Sequence, residues 1–258
     1  MVRLISRTLL GLLVLVPAIA VAQGTAGPTD LDEADRQKLR AEIRAYLLEN
    51  PEVLVEALGI LEDRRALEAE AADKALIAAN KQNIFNDGHS FVGGNPDGDV
   101  TLVEFLDYRC GFCKQAHPQI VELLEADPNV RLVVKEFPIL GPESVAAGRM
   151  AIAAAAIDND RYEALNDALM NFPSNLTERA AYQIAASVGY DPQALRAEAD
   201  SDATTEKLEA NYELARAMGL NGTPSFILED EIIRGLLPAP QMQALIDEKR
   251  RAIKSQSN

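Results

Sequence analysis

The strongest constraint on this chain is the compact apolar run Val100 to Phe105, which contains one acid, Glu104, and is followed at once by Leu106-Asp107-Tyr108-Arg109 and the unit Cys110-Gly111-Phe112-Cys113. Such a run reads as a buried strand. Helical spacing follows from Gly111 to Glu125, with Pro118 inside it where a kink is expected. Val130 to Phe137, with Leu132, Val133 and Val134 consecutive and apolar, reads as a second strand covered on both faces. The core therefore opens as strand, helix, strand, which makes the fold class α/β.

Helical patterns fill the next stretch, Glu143 to Ile157, Arg161 to Met170, Thr177 to Val188 and Pro192 to Met218, with breaks that carry Pro or Gly at Gly141-Pro142, Phe172-Pro173 and Gly189-Tyr190-Asp191-Pro192. Asp191 before Pro192 is a start signal and Gly219 a stop. Gly222-Thr223-Pro224-Ser225-Phe226-Ile227-Leu228, a turn at Glu229-Asp230, and Ile232-Ile233 predict two short strands, before a last helix that opens at Pro238 or Pro240.

Upstream, Arg3 and Arg7 precede a short apolar run from Leu9 to Val21, and Ala20-Val21-Ala22 places small residues where a signal peptidase reads them. Residues 1–22 are expected to be a signal peptide cleaved before Gln23. A retained anchor is the competing reading, although the run is short for a bilayer. The formal charge of −15 becomes more negative once Arg3 and Arg7 leave, which argues against nucleic acid and against anionic membrane surfaces as partners.

Asp30 or Asp32 can cap a helix through Leu39, Ile43, Tyr46 and Leu47, which breaks near Asn50-Pro51. A second helix, with Asn50 as cap and Pro51 first, runs through Leu54, Leu58 and Leu61 to about Asn80. Leu47, Leu54, Leu58 and Leu61 fall at seven, four and three residue steps, a coiled-coil-like seam weakened by Arg65 and Glu68. Such helices bury little alone, so residues 30–85 either associate with other copies or brace the downstream domain. Residues 86–98, holding Asn86-Asp87-Gly88-His89 and Gly93-Gly94-Asn95-Pro96-Asp97-Gly98, read as a linker and turn, with His89 an exposed bystander. The remaining expected segments are 99–140 and 220–254 as the two parts of the core and 141–219 as a helical domain between them.

Cys110 and Cys113 are the only cysteines. Two residues apart, they close no long loop, so chemistry explains them better than stability. A zinc site with Cys110, Cys113 and His117 would need His89 or a carboxylate to fold back, and no metal is expected. A dithiol exchanges disulfides when one thiol is reachable and ionised and the other can attack the resulting mixed disulfide. Cys110 at a helix start suits the first role, and Cys113 further in suits the second. Gly111 and Phe112 add N–H donors but no imidazolium. Arg109 either helps the thiolate or is merely solvated. Glu104 either is buried, with a raised pKa, and relays a proton for Cys113, or faces outward on an edge. Thr223-Pro224 is either cis, turning its backbone toward a peptide beside Cys110, or an ordinary trans bond.

Val103-Glu104-Phe105 leading to Cys110-Gly111-Phe112-Cys113, then Glu136-Phe137-Pro138 and Gly222-Thr223-Pro224-Ser225-Phe226, resembles the DsbA-like branch of the thioredoxin superfamily. With Asn50-Pro51-Glu52 and the leucines after it, the chain resembles the ScsC-type subgroup. The resemblance implies a thioredoxin fold with a helical domain inserted in the core, plus an N-terminal helical stalk. It implies Cys110 as nucleophile, Cys113 as resolving thiol, Glu104 as buried acid, and Thr223 and Pro224, with Gly111 and Phe112, as the substrate-touching surface. It further implies a periplasmic disulfide isomerase, with no cofactor beyond the cysteine pair, acting on misoxidised or reduced exported proteins. A membrane thiol-disulfide reductase would be its electron donor, and Leu47, Leu54, Leu58 and Leu61 would hold a homotrimer. A dithiol oxidase and a copper-binding or holdase scaffold are the alternatives. The chain departs from the DsbA pattern in having no His between its cysteines.

Overall fold

The computed structural model describes residues 31–173 and 175–256; the expected signal peptide, 1–22, lies outside them. Among the described residues no helix is long and apolar enough to cross a membrane. The chain divides into two compact units, one ending at Glu62 and one beginning at Asp63.

In the first unit, Asp32 caps α1 (Glu33–Glu49) by accepting the Asp35 N–H at 2.8 Å. Asn50 closes α1 instead of capping its successor, since its Nδ2 donates to the Tyr46 carbonyl at 2.8 Å. The second helix, α2 (Glu52–Phe85), starts just after Pro51 and crosses the division between the units. α1 buries none of its residues. Leu47 is half-buried, Leu54, Leu58 and Leu61 are exposed, and so are Leu48, Val55 and Ile60. Apolar surface thus spreads around these helices more widely than one seam.

The second unit is built on a five-stranded sheet in the order β1-β3-β2-β4-β5. Its strands are β1 (Phe91–Gly94), β2 (Val100–Leu106), β3 (Val130–Glu136), β4 (Ser225–Leu228) and β5 (Glu231–Arg234). Only β2 and β3 run parallel, joined by α3 (Gly111–Ala126); the other neighbours are antiparallel. Between β3 and β4 lie α4 (Pro142–Ile157), a 3-10 turn (Asn159–Arg161), α5 (Tyr162–Met170), α6 (Glu178–Ser187), α7 (Pro192–Ala199) and α8 (Asp202–Ala217), and α9 (Ala239–Gln256) follows β5.

Period-two alternation sorts the central strands onto two cores. Val100, Leu102 and Leu106 of β2 and Val130, Leu132 and Val134 of β3 face the core under α3, α4 and α5. Val103, Phe105 and Val133 face the opposite core, which takes in Ile77, Ile84 and Phe85 of α2 and Leu214 and Ala215 of α8. The same alternation puts Glu104 and Glu136 on the first face and Lys135 on the second.

Four further sequence expectations need correction. Residues 86–98 are not a plain linker: β1 pairs with β3 from Phe91↔Val134 to Gly94↔Arg131. Its glycines, read as a turn, allow close approach instead, since a Cβ on Gly94 (φ +61°) would sit 2.6 Å from the Val130 carbonyl oxygen. The stretch 30–85 is not one separable region, because the last turns of α2 belong to the core and Asp73 pairs with Arg234 at 2.9 Å. His89 is no exposed bystander: its Nε2 lies 3.1 Å from Asp87, whose Oδ2 also meets the Nζ of the fully buried Lys135 at 2.5 Å. Pro192 to Met218 is two helices, Ser201 interrupting it to cap α8 by accepting the Thr204 N–H at 3.1 Å.

Candidate active site

The turn after β2 is organised by Asp107, which is fully buried. Its Oδ1 accepts the Arg109 N–H and the Ser144 hydroxyl, both at 2.8 Å, and its Oδ2 accepts the N–H groups of Ile139 at 2.9 Å and Leu140 at 3.0 Å. The Cys110 N–H donates to the Asp107 carbonyl at 2.9 Å, leaving Cys110 as the N-cap of α3 and Cys113 inside its first turn. Both thiols are free. Cys113 is fully buried and Cys110 only 7% exposed, so the nucleophile is more covered than its position in the sequence implies. Gly111 and Phe112 beside it are exposed, Phe112 by 61%.

The opposite wall comes from the segment before β4. The Thr223-Pro224 peptide is cis, and Cys110 Sγ donates to the Thr223 carbonyl at 3.1 Å. The structure therefore brings Cys110, Cys113, Thr223 and Pro224 to one place. Glu104 lies on central β2, paired on both sides and only 3% exposed, so its side chain faces the core and not an edge. Leu47, Leu54, Leu58 and Leu61 belong to the other unit and are not part of this site.

The two thiols are pushed in opposite directions. The Cys113 thiol's hydrogen bond, helped by the Thr223 side chain and by the N–H groups of Cys113 and Phe112, brings Cys110 down to about 5 against the effect of burial. The same bond, then burial, then the charge of Glu104 push Cys113 far up. Burial alone raises Glu104 to about 8, which keeps a proton available near neutral pH. Removing the Cys113 thiol should lift the Cys110 midpoint above about 5. A Cys113→Ala titration followed by thiolate absorbance should still fall below the free-thiol value of about 8.5; a midpoint at or above that value would deny Cys110 its place as nucleophile.

Two further elements escaped sequence reading. Asp107 is one, although its spacing ahead of the motif is that of a side chain folding back on its own turn. Glu136 is a second buried carboxylate, accepting from the Tyr108 hydroxyl at 2.8 Å and the Tyr162 hydroxyl at 2.5 Å, and burial raises it to about 8. Its signal was available: an acid at the end of an apolar strand, as Glu104 is an acid within one.

Two family models match this architecture, one described as "Thioredoxin" over residues 86–248 and one as "Copper resistance protein ScsC N-terminal domain" over 35–68. The chain belongs to the thioredoxin family. Within that superfamily it is of the DsbA/ScsC type, a thiol-disulfide oxidoreductase lineage, as the resemblance implied. Among solved structures it is similar to a thioredoxin-like oxidoreductase from Silicibacter pomeroyi DSS-3, with 41% identity, 67% of this chain and 98% of that one covered, and a TM-score of 0.64. A linker-deletion mutant of Proteus mirabilis ScsC covers 88% of this chain and 99% of its own at 26% identity and a TM-score of 0.64. BcfH of Salmonella enterica Typhimurium covers 84% and 96% at 25% identity and a TM-score of 0.71. Curated relatives include a Na(+)/H(+) antiporter NhaA of Herminiimonas arsenicoxydans, 28% identical over 166 residues, which are 64% of this chain but only 26% of that protein. The thiol:disulfide interchange protein DsbC of Dickeya dadantii is 24% identical over 163 residues, covering 62% of this chain and 56% of that one. The chain thus spans about a quarter of the length of the first curated relatives it matches.

Proposed function

We propose that this thioredoxin-family chain is a periplasmic protein disulfide isomerase acting on misoxidised or reduced exported proteins. The observation that carries the reading is a split thiol pair, Cys110 lowered to about 5 and Cys113 buried and raised, set against the Thr223-Pro224 backbone. The Cys110 thiolate attacks a wrong disulfide, forming a mixed disulfide and releasing one substrate thiolate. That thiolate can attack elsewhere on the substrate. Alternatively Cys113 attacks Cys110, closing the Cys110–Cys113 disulfide and discharging a reduced substrate. The cysteine pair is the whole redox group, with no cofactor, and a membrane thiol-disulfide reductase returns it to the dithiol. Gly111 and Phe112, exposed beside Cys110, extend the substrate-touching surface. A dithiol oxidase would use the same residues in the opposite direction. Trapping the pair in cells by alkylation separates the two, a largely reduced pair supporting isomerisation and a largely oxidised one overturning it.

Oligomerisation belongs to the same proposal. Leu54, Leu58 and Leu61 are exposed by 49%, 58% and 39% on a unit that buries little by itself, and together with Leu47 they fit a homotrimeric stalk. Several Cys110 sites around one substrate would raise the effective concentration for recapture. The truncation that tests this starts at Asp63, since Ile77, Ile84 and Phe85 are core residues. The full mature chain should scatter light as a trimer and refold a scrambled disulfide substrate, while the truncated chain should be monomeric and lose most of that refolding. A monomeric full chain at micromolar concentration overturns the stalk; equal refolding by the truncated chain overturns its contribution to isomerisation.

A further inference from the structure

Beneath the cysteines, the face of the sheet that carries Glu104 does not close completely against α3 and α5. A pocket of about 440 Å³ remains, lined by apolar Phe91, Ile120 and Leu132 and by Glu104, His117, Asn166 and Asp167. Two of its polar atoms, Glu104 Oε1 and Asn166 Oδ1, are buried without a protein partner, on residues 3% and 8% exposed. Two orphaned acceptors in a pocket roomy enough for several waters call for donors there. His117 sits four residues after Cys113 on α3, hence on the same helix face, and is itself only 8% exposed. Its Nε2 lies 3.0 Å from Oδ1 of Asp167, whose side chain is 59% exposed.

We infer that this pocket is the proton path between Glu104 and solvent, with His117 as its relay and Asp167 orienting the imidazole at its mouth. The inference rests on the exchange chemistry proposed above, in which Glu104 serves Cys113. Burial keeps Glu104 protonated near neutral pH, so that proton must leave before the resolving step, in which the Cys113 thiol gives its proton to the Glu104 carboxylate and its sulfur attacks Cys110 Sγ. The Cys110–Cys113 bond forms as the bond from Cys110 to the substrate sulfur breaks, and the electron pair leaves on that sulfur. The enzyme dithiol is oxidised by two electrons and the substrate disulfide reduced by two. Each resolution thus waits on Glu104 giving up its resting proton, and β2 is covered on both faces and both edges. Pocket water and His117 carry it out, an imidazole presenting one ring nitrogen that accepts a proton and one that donates it. The titratable groups around this path are Cys113 and His117 on α3, Glu104 on β2, Glu136 on β3, Tyr162, Glu163 and Asp167 on α5, and Asp160 in the 3-10 turn. β1 and β4 contribute none, Phe91, Gly93, Gly94, Ser225 and Phe226 being neutral.

The test follows the reduced full-length protein mixed with 5,5′-dithiobis(2-nitrobenzoate) in stopped flow. Its first release of thionitrobenzoate reports Cys110 attack and its second reports resolution by Cys113. In His117→Ala the first phase should be unchanged and the second slowed about tenfold near neutral pH, with imidazole added to the buffer restoring it. A second phase that is unchanged, or slowed without imidazole rescue, overturns the path. Asp167→Asn, on an exposed side chain, carries the test should His117→Ala not fold: the second phase should slow and its pH profile shift, and an unaltered profile overturns the inference. Glu104→Gln separates the two readings. If it slows the second phase while His117→Ala does not, only the path fails; if neither variant slows it, the role of Glu104 fails as well.

Discussion

Glu104→Gln should make the protein markedly more stable at pH 8 while impairing its exchange chemistry. Burial raises the folded-state value from 4.5 to about 8. Between those two values the unfolded chain has released the proton and the folded chain still holds it, so the unfolded state binds fewer protons and stability falls as pH rises. At about 1.4 kcal/mol per pKa unit the accumulated cost is on the order of 3 to 5 kcal/mol, with water in the adjacent pocket favouring the lower figure. Glutamine carries no such cost. Urea unfolding of both proteins in the same redox state should therefore give curves that coincide near pH 4 and separate steadily toward pH 8, with Glu104→Gln the more resistant. Equal stability at pH 8 would mean that Glu104 is ionised in the folded protein, and the need for a path that clears its resting proton would fall with it.

The opposite face of the sheet carries the second large expectation. Lys135 is fully buried and its Nζ donates to the Asn83 carbonyl at 2.7 Å and to Asp87. Burial would raise Asp87, but the charge and hydrogen bond of Lys135, with the N–H and hydroxyl of Ser90, bring it down to about 2. Burial also lowers Lys135, and the attraction of Asp87 does not fully offset it. The pair is thus no better than a neutral core would be, yet removing one half is costly, because the other charge stays buried alone. Lys135→Met should cost about 3 to 5 kcal/mol, and Lys135→Met with Asp87→Asn should recover most of it, since Asn can still accept from His89 and Ser90. Failure of the double replacement to recover stability would shift the cause to packing. In the native protein the contribution of Asp87 is present above its ordinary value of 3.8 and is lost as pH falls toward about 2.

Much of this was legible in the residues. The central strands announced themselves because burial on both faces demands unbroken apolar sequence, and the helices after β3 because Pro and Gly punctuate them. β1 was hidden: a four-residue edge strand with two glycines has too few side chains to show a period, and only its partner reveals that the missing Cβ of Gly94 makes room for β3. The break before α8 was hidden for another reason, since a Ser cap within continuous helical spacing is visible only once its Oγ is seen accepting an N–H. At the site, cysteine chemistry follows from composition, but Asp107 and Lys135 act through groups more than thirty residues away, which local pattern does not encode. The outer part of α2 read as a stalk up to residue 85 because exposed and core-facing alanine-rich turns look alike in sequence.

The alternation along β2 and β3 also acts as a partition. The buried acids Glu104 and Glu136 project to one side of a single layer of backbone, and the cation that fastens the end of α2 projects to the other, with neighbouring positions on β3, Lys135 and Glu136, pointing oppositely. Each side can therefore drift or be redesigned without retuning the other. An arm of different length or partner preference could be grafted at α2 while the thiols keep their proton supply, and the proton supply could be altered without unfastening the arm. In this chain modularity is written into every second residue of a strand, not into a domain boundary.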